Sequence, residues 1–295
     1  MRRFALALFV IAAFCIPLGA QPPSPEAEAT YKDIKKALGV VPSFLKAYPE
    51  SGIAAAWDEL KALEIDGRTA LPNKVKELIG LAVAAQIPCR YCVVFHTAVA
   101  RANGATEGEL KEAIAMAAAT RHWSTVLNGL AIDEGDFKKE MTKVFAHLKK
   151  APKQSGQATI AITDATSAYK DIEQTFGMVP TFLRQFPEVA IAPAWRLMKT
   201  VQLNPDTALP GKTKELIGLA VSAQIPCQYC VYFHTQAARM GGANDIEIRE
   251  AVGMAALTRH WSTVLNGAAI DEGAFKRDVD QMIKETKRAS QKASR

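Results

Sequence analysis

The sequence predicts an all-α protein in which two tandem helical domains pack as a pseudo-symmetric pair. Apolar residues recur at helical spacing rather than alternating along strands, as in Lys74–Ala85, which is rich in Ala and Leu. No Val- and Ile-rich run is bounded by hairpin turns. The chain also repeats itself at an offset of 138 residues, with Tyr31-Lys32-Asp33-Ile34 returning as Tyr169-Lys170-Asp171-Ile172 and Trp57 as Trp195. Arg121–Gly129 returns unchanged as Arg259–Gly267, and Asp133-Glu134-Gly135 returns as Asp271-Glu272-Gly273. So long a period marks a duplicated domain rather than a solenoid, whose repeat is about 20–50 residues.

The elements follow in order. Arg2 and Arg3 precede an apolar run from Phe4 to Ile16 and then Pro17-Leu18-Gly19-Ala20, the pattern of a signal peptide cleaved after Ala20. The run is short for a membrane span, which takes about 20 residues. Ser24-Pro25-Glu26 is a helix start, with Ser as N-cap and Pro at the first helical position. Thr106-Glu107-Gly108-Glu109 is a capping box, replaced in the second copy by Asn244-Asp245-Ile246-Glu247. The small-residue-rich stretch Ala113–Leu127 reads as a tightly packed helix. Ala151–Gln157 reads as a linker. The expected organisation is a leader over 1–20, a domain over 21–150, linker and start of the second repeat over 151–168, and a second domain over 169–295 with a basic tail. Each copy should hold about five to seven helices.

The 295 residues suffice for two domains of about 100–200 residues each. A content of 49% hydrophobic and 22% charged residues is that of a globular protein and excludes disorder and a multi-span membrane protein. Loss of Arg2 and Arg3 lowers the formal charge of +6 by two. Much of the remainder lies in the tail, from Lys276 and Arg277 to Arg295, which reads as a solvated terminal helix rather than a nucleic-acid contact. Of five cysteines, Cys15 leaves with the leader, and Cys89, Cys92, Cys227 and Cys230 form two Cys-x-x-Cys pairs in an exported, periplasmic setting.

The chemistry-bearing motif is Glu77, Cys89, Cys92 and His96, repeated as Glu215, Cys227, Cys230 and His234. Pro88 and Pro226 place a helix start at or near the first cysteine, where free amides and the helix dipole stabilise a thiolate. Cysteines at i and i+3 share a helix face and can be bridged. His96 lies one turn beyond Cys92, placed to take a thiol proton, and antiparallel packing would return Glu77 to the cysteines. Carboxylate, imidazole and two thiols together make a proton relay feeding a nucleophilic sulfur. A zinc site of four cysteines, or of two cysteines and two histidines, is the rival. Each copy holds a complete set, and ligands at i, i+3 and i+7 on one helix would crowd a tetrahedral centre. Both points favour redox chemistry over a structural metal.

Lys76-Glu77-Leu78 with Ile87-Pro88-Cys89-Arg90-Tyr91-Cys92-Val93-Val94-Phe95-His96 resembles the signature of the AhpD-like, carboxymuconolactone decarboxylase superfamily, in the spacing of its alkylhydroperoxidase branch. The resemblance covers most of both repeats. It implies an all-α, oligomer-forming fold and a thiol peroxidase, with Cys92 and Cys230 peroxidatic and Cys89 and Cys227 resolving. It further implies that His96 and His234 are the bases and that Glu77 and Glu215 anchor the relay. The implied partners are a small hydroperoxide, a thiol or dithiol reductant protein and a further copy of the chain. The best-known member carries a histidine before the second cysteine; this chain has Tyr91 and Tyr229, and tyrosine is a poor base at neutral pH. The decarboxylase branch lacks the cysteine pair. The alternatives to a peroxidase are a thiol–disulfide oxidoreductase and a non-enzymatic helical module with structural or metal-binding cysteines.

His122 and His260, in the unchanged segment, read as groups supporting the thiols, as contacts at the domain pairing, or as core histidines bonded to backbone beside Trp123 and Trp261. His147, matched by Glu285, reads as a surface residue.

Overall fold

The computed structural model describes residues 24–150 and 161–293; the expected leader, its cleavage point and the expected linker lie outside the described residues. Among the described residues all regular structure is helical. Repeat 1 contributes α1 (Pro25–Leu38), α2 (Glu50–Leu60), α3 (Asn73–Gln86), α4 (Arg90–Ala102), α5 (Glu107–Gly129) and α6 (Glu134–Lys150). Repeat 2 contributes α7 (Ala165–Phe176), the single turn α8 (Thr181–Arg184), α9 (Glu188–Val201), α10 (Gly211–Gln224), α11 (Gln228–Met240), α12 (Asp245–Gly267) and α13 (Glu272–Ala293). None of these helices is long and apolar enough to cross a membrane.

The local signals act as expected. Ser24 accepts from the Ala27 amide and Pro25 opens α1. Both capping boxes form, Thr106 with Glu109 and Asn244 with Glu247, each cap being worth about 1 kcal/mol. In α3 every residue from Lys76 to Ala84 is buried, because this helix lies at the centre of the molecule and is covered on all sides. Its polar members must then find partners inside. Lys76 meets that demand by donating to Asp66 O at 2.9 Å and Thr69 Oγ1 at 2.8 Å, holding the loop ahead of α3.

The helices α3, α5, α10 and α12 form the centre, with α3 against α10, α12 against α3 and α5 against α10. The two repeats exchange their last helices: α6 packs on α11 and α7, and α13 packs on α4 and α1. Paired contacts repeat across the interface. Glu250 accepts from the amides of Ala70 and Leu71, and Glu112 from those of Ala208 and Leu209. Asp278 binds Ser43, and Glu140 binds Thr181. This is a two-fold arrangement within one chain, as expected from the duplication. One hydrophobic cluster therefore joins repeat-1 residues to Phe275 and Val279 of α13, and the other joins Phe137 and Val144 of α6 to repeat 2.

The tail departs from expectation. Rather than a solvated end, α13 buries Phe275, Val279 and Met282 against repeat 1, with its basic residues on the outer face. His147 also departs: it is half-buried over Gly177, whose positive φ and missing Cβ leave room for the ring.

Candidate dithiol site

Cys89 is the N-cap of α4 and Cys227 that of α11, so the prolines do start the helices at the first cysteine. The Cys92 amide donates to Cys89 Sγ at 3.2 Å, and the Cys230 amide to Cys227 Sγ at 3.3 Å. Cys89 is disulfide-bonded to Cys92 and Cys227 to Cys230, each with Cα atoms 5.3 Å apart. An amide at the cap favours the thiolate of the first cysteine when the pair is reduced.

Behind the sulfurs, His96 Nδ1 is 2.8 Å from Glu77 Oε2, and His234 Nδ1 is 2.7 Å from Glu215 Oε2. Glu77 belongs to α3 and His96 to α4, so the antiparallel packing returns the carboxylate as expected. The approach depends on Gly80: a Cβ there would stand 2.4 Å from the His96 ring, and at Gly218 2.3 Å from His234. A carboxylate at Nδ1 fixes the proton on that nitrogen and leaves Nε2 as the acceptor. Burial pushes the His96 pKa down, so the imidazole is neutral at pH 7, the form a general base requires.

The sites differ in one residue. After α2 the chain makes a π turn, Lys61–Ile65, that buries Glu64 with Oε1 3.3 Å from His96 Nδ1. The equivalent residue is Gln202, whose amide donates to Glu215 Oε1 at 3.1 Å. Glu64 also hydrogen-bonds Glu77. Burial raises both carboxyl pKa values, to about 8, with the Glu77 charge raising Glu64 further. Glu77 accepts from Glu64 as well as from His96, so Glu64 carries the proton of the pair. Glu64, Glu77 and His96 offer ligand atoms within 4.8 Å of one another and are the described residues that could hold a metal ion. Glu77 and His96 partner each other, while Glu64 Oε1 is buried without a hydrogen-bond partner. Sequence reasoning missed Glu64 because it lies outside the repeated motif.

Each site is completed by the other repeat. Thr258 Oγ1 of α12 lies 3.3 Å from His96 Nε2, and Thr120 Oγ1 of α5 lies 3.4 Å from His234 Nε2. Asn266 Nδ2 approaches Cys89 Sγ at 3.6 Å, and Asn128 Nδ2 approaches Cys227 Sγ at 3.6 Å. Cys92 and His96 line a common cavity of about 40 Å³ with Leu257, Thr258 and Trp261; Cys230 and His234 line another of about 40 Å³ with Thr120 and Trp123. That space admits a water or a hydroperoxide group. The sulfurs are otherwise closed off, Cys89 being 1% and Cys92 4% exposed.

The tyrosines beside the second cysteines turn elsewhere. Tyr91 OH donates to Ile270 O and Tyr229 OH to Ile132 O, each at 2.5 Å, tying each site helix to the other repeat. The paired histidines lie on the outer side of α5 and α12. His122 is exposed and contacts Trp123 and, in the other repeat, Phe186; His260 stacks on Tyr48 of the other repeat with its Nε2 unpartnered, so both make the contacts at the domain pairing that one reading expected, rather than supporting the thiols.

The family model for the carboxymuconolactone decarboxylase family matches residues 52–134 and 190–272, more than half of the chain. An uncharacterized protein of Cupriavidus necator is 46% identical over 57 residues, 19% of this chain and 49% of its own length. A second, encoded in the cox locus of Paracoccus denitrificans, is 41% identical over 54 residues, 18% of this chain and 49% of its own length. Thus the chain spans about half the length of the curated relatives it matches. A protein of Burkholderia xenovorans described as a gamma-carboxymuconolactone decarboxylase subunit shares the fold, with a TM-score of 0.57 at 16% identity over 90% of this chain and 100% of its own.

Proposed function

Because this chain belongs to the carboxymuconolactone decarboxylase family, with the family domain present twice, we propose that it is an exported thiol peroxidase with one dithiol site per repeat. The observation that carries the reading is the shared cavity of Cys92 and His96, with His96 held by Glu77 and Cys92 paired to Cys89. The same set recurs around Cys230.

In the reduced protein, neutral His96 takes the Cys92 proton through Nε2. The thiolate attacks the terminal oxygen of a hydroperoxide, the O–O bond breaks, and the leaving oxygen receives a proton to depart as an alcohol or water. Cys92 is then a sulfenic acid. Cys89, its thiolate favoured at the helix cap, attacks that sulfur, forms the disulfide and expels water. A thiol or dithiol reductant returns two electrons by exchange. No metal or organic cofactor takes part.

The cavity beside Cys92 and His96, which fits a hydroperoxide group, favours this over a protein thiol–disulfide oxidoreductase; in either reading a protein partner reaches sulfurs 1% and 4% exposed only after the start of α4 opens. The cysteine pair separates the chain from a decarboxylase reading. The test replaces Cys92, Cys230 or both by serine and follows peroxide turnover. Each single variant should retain part of the activity and the double variant none; full activity in the double variant would refute the assignment.

A further inference from the structure

A second, much larger cavity, of about 530 Å³, adjoins the repeat-1 site. Glu64 and Glu77 stand on its wall, and Phe44, Leu60, Glu64 and Phe95 separate it from the small cavity of Cys92 and His96 by lining both. It extends between α1, α2, α4 and α13 toward the exposed Thr286, Lys287 and Gln291. Its volume lies within the range of small-molecule sites, about 300–1,000 Å³.

The equivalent positions in repeat 2 are built to fill this space. Leu38, Leu60, Ile283 and Thr286 of the cavity wall correspond to Phe176, Met198, Phe145 and Leu148. Phe176, Met198 and Phe145 are buried, Phe176 against Trp195 with ring centroids 5.1 Å apart and Phe145 against Phe233 at 5.4 Å. Val99 and Met282 do give way to the smaller Ala237 and Val144, but two phenylalanines outweigh those losses. Glu64, one of the polar groups of the wall, is replaced by Gln202. The duplication has therefore left one site beside a chamber and the other beside packed side chains.

We propose that this chamber binds an elongated apolar molecule bearing a neutral hydrogen-bonding head, so that repeat 1 takes long-chain hydroperoxides and repeat 2 small ones. The apolar walls, aliphatic and aromatic, suit the chain. Glu64 Oε1, buried and without a hydrogen-bond partner, can accept from an uncharged –OOH or –OH head, and the negative charge shared by the Glu64–Glu77 pair would repel a carboxylate. Only the identity of the head as a hydroperoxide rests on the peroxidase reading; the chamber does not.

The test titrates the full chain with dodecanol by calorimetry and native mass spectrometry. One equivalent should bind. The variant Leu38→Phe/Ile283→Phe/Thr286→Leu, which gives repeat 1 the side chains of repeat 2, should weaken binding about tenfold or more. The single Ile283→Phe variant, should the triple fail to fold, should weaken it in the same direction. Phe145→Ile/Leu148→Thr/Phe176→Leu should create a second equivalent. In protein carrying only the repeat-1 cysteines, the filled variant should lower the ratio of kcat/KM for dodecyl hydroperoxide to that for hydrogen peroxide about tenfold. Absence of dodecanol binding, or binding indifferent to the filling substitutions, overturns the proposal even if peroxide is turned over. Binding as expected without any peroxide turnover upholds the chamber and refutes the peroxidase reading.

Discussion

Gly80 lies directly beneath the imidazole of His96, with no room between them for a methyl group: a Cβ on residue 80 would stand 2.4 Å from the ring. The glycine lets the histidine lie against α3 and reach Glu77 one turn earlier. Gly80→Ala should therefore move the imidazole. We expect it to lower peroxide oxidation of the repeat-1 thiols about 10²-fold, the scale of lost general base catalysis, measured with Cys227 and Cys230 replaced by serine. The helix itself gains about 1 kcal/mol of propensity from alanine, so a thermal melt separates displacement from unfolding.

Glu64 makes repeat 1 pH-sensitive. Its folded pKa is raised to about 8, chiefly by burial, so the folded state holds a proton that the unfolded state releases near 4.5. The stabilisation is complete below the unfolded value and is lost as pH rises through the folded one. The melting temperature should accordingly fall between about pH 5 and pH 9, and Glu64→Gln, which installs the residue of repeat 2, should flatten that slope. Calorimetric melts of both proteins across this range check it.

The contact of Thr258 with His96 Nε2 predicts that a repeat-2 substitution impairs the repeat-1 site. Thr258→Val should slow thiol oxidation at Cys92 about fivefold, as expected for one net hydrogen bond, and leave Cys230 untouched. Peptide mapping of oxidised cysteines after a short peroxide pulse distinguishes the two sites.

Tyr91 and Tyr229 predict a change in stability rather than chemistry, because their hydroxyls bind carbonyls of the opposite repeat. Tyr91→Phe should cost about 1–3 kcal/mol by stranding the Ile270 carbonyl, with pH–rate profiles unchanged. Denaturant unfolding measures the loss.

The dithiol motif was legible because its cysteines and histidine lie on one helix, whose start two prolines announce, and because the motif occurs twice. Glu77 was legible only through its spacing, since a glutamate in a helix reads equally well as solvated. Gly80 was hidden among the small residues of α3, where nothing local marks an approaching ring. Glu64 was hidden for a different reason: a π turn aims it inward and Gln202 breaks the repeat, so comparing the copies discards it. The unchanged Arg121–Gly129 segment did point to the site, but through Asn128 and, just ahead of the segment, Thr120 rather than through His122. Those residues act on partners 99 and 114 positions away, across an exchange of helices that no local pattern encodes.

Mixing the fully reduced chain with a hydroperoxide under stopped flow, and following thiolate loss at each pair, asks whether both repeats are thiol peroxidases. Oxidation should outpace that of free cysteine by orders of magnitude, consume two thiols per site, and lose its fast phase once Cys92 and Cys230 are both serine. Oxidation no faster than free cysteine, or a fast phase that survives in the double variant, would contradict that reading.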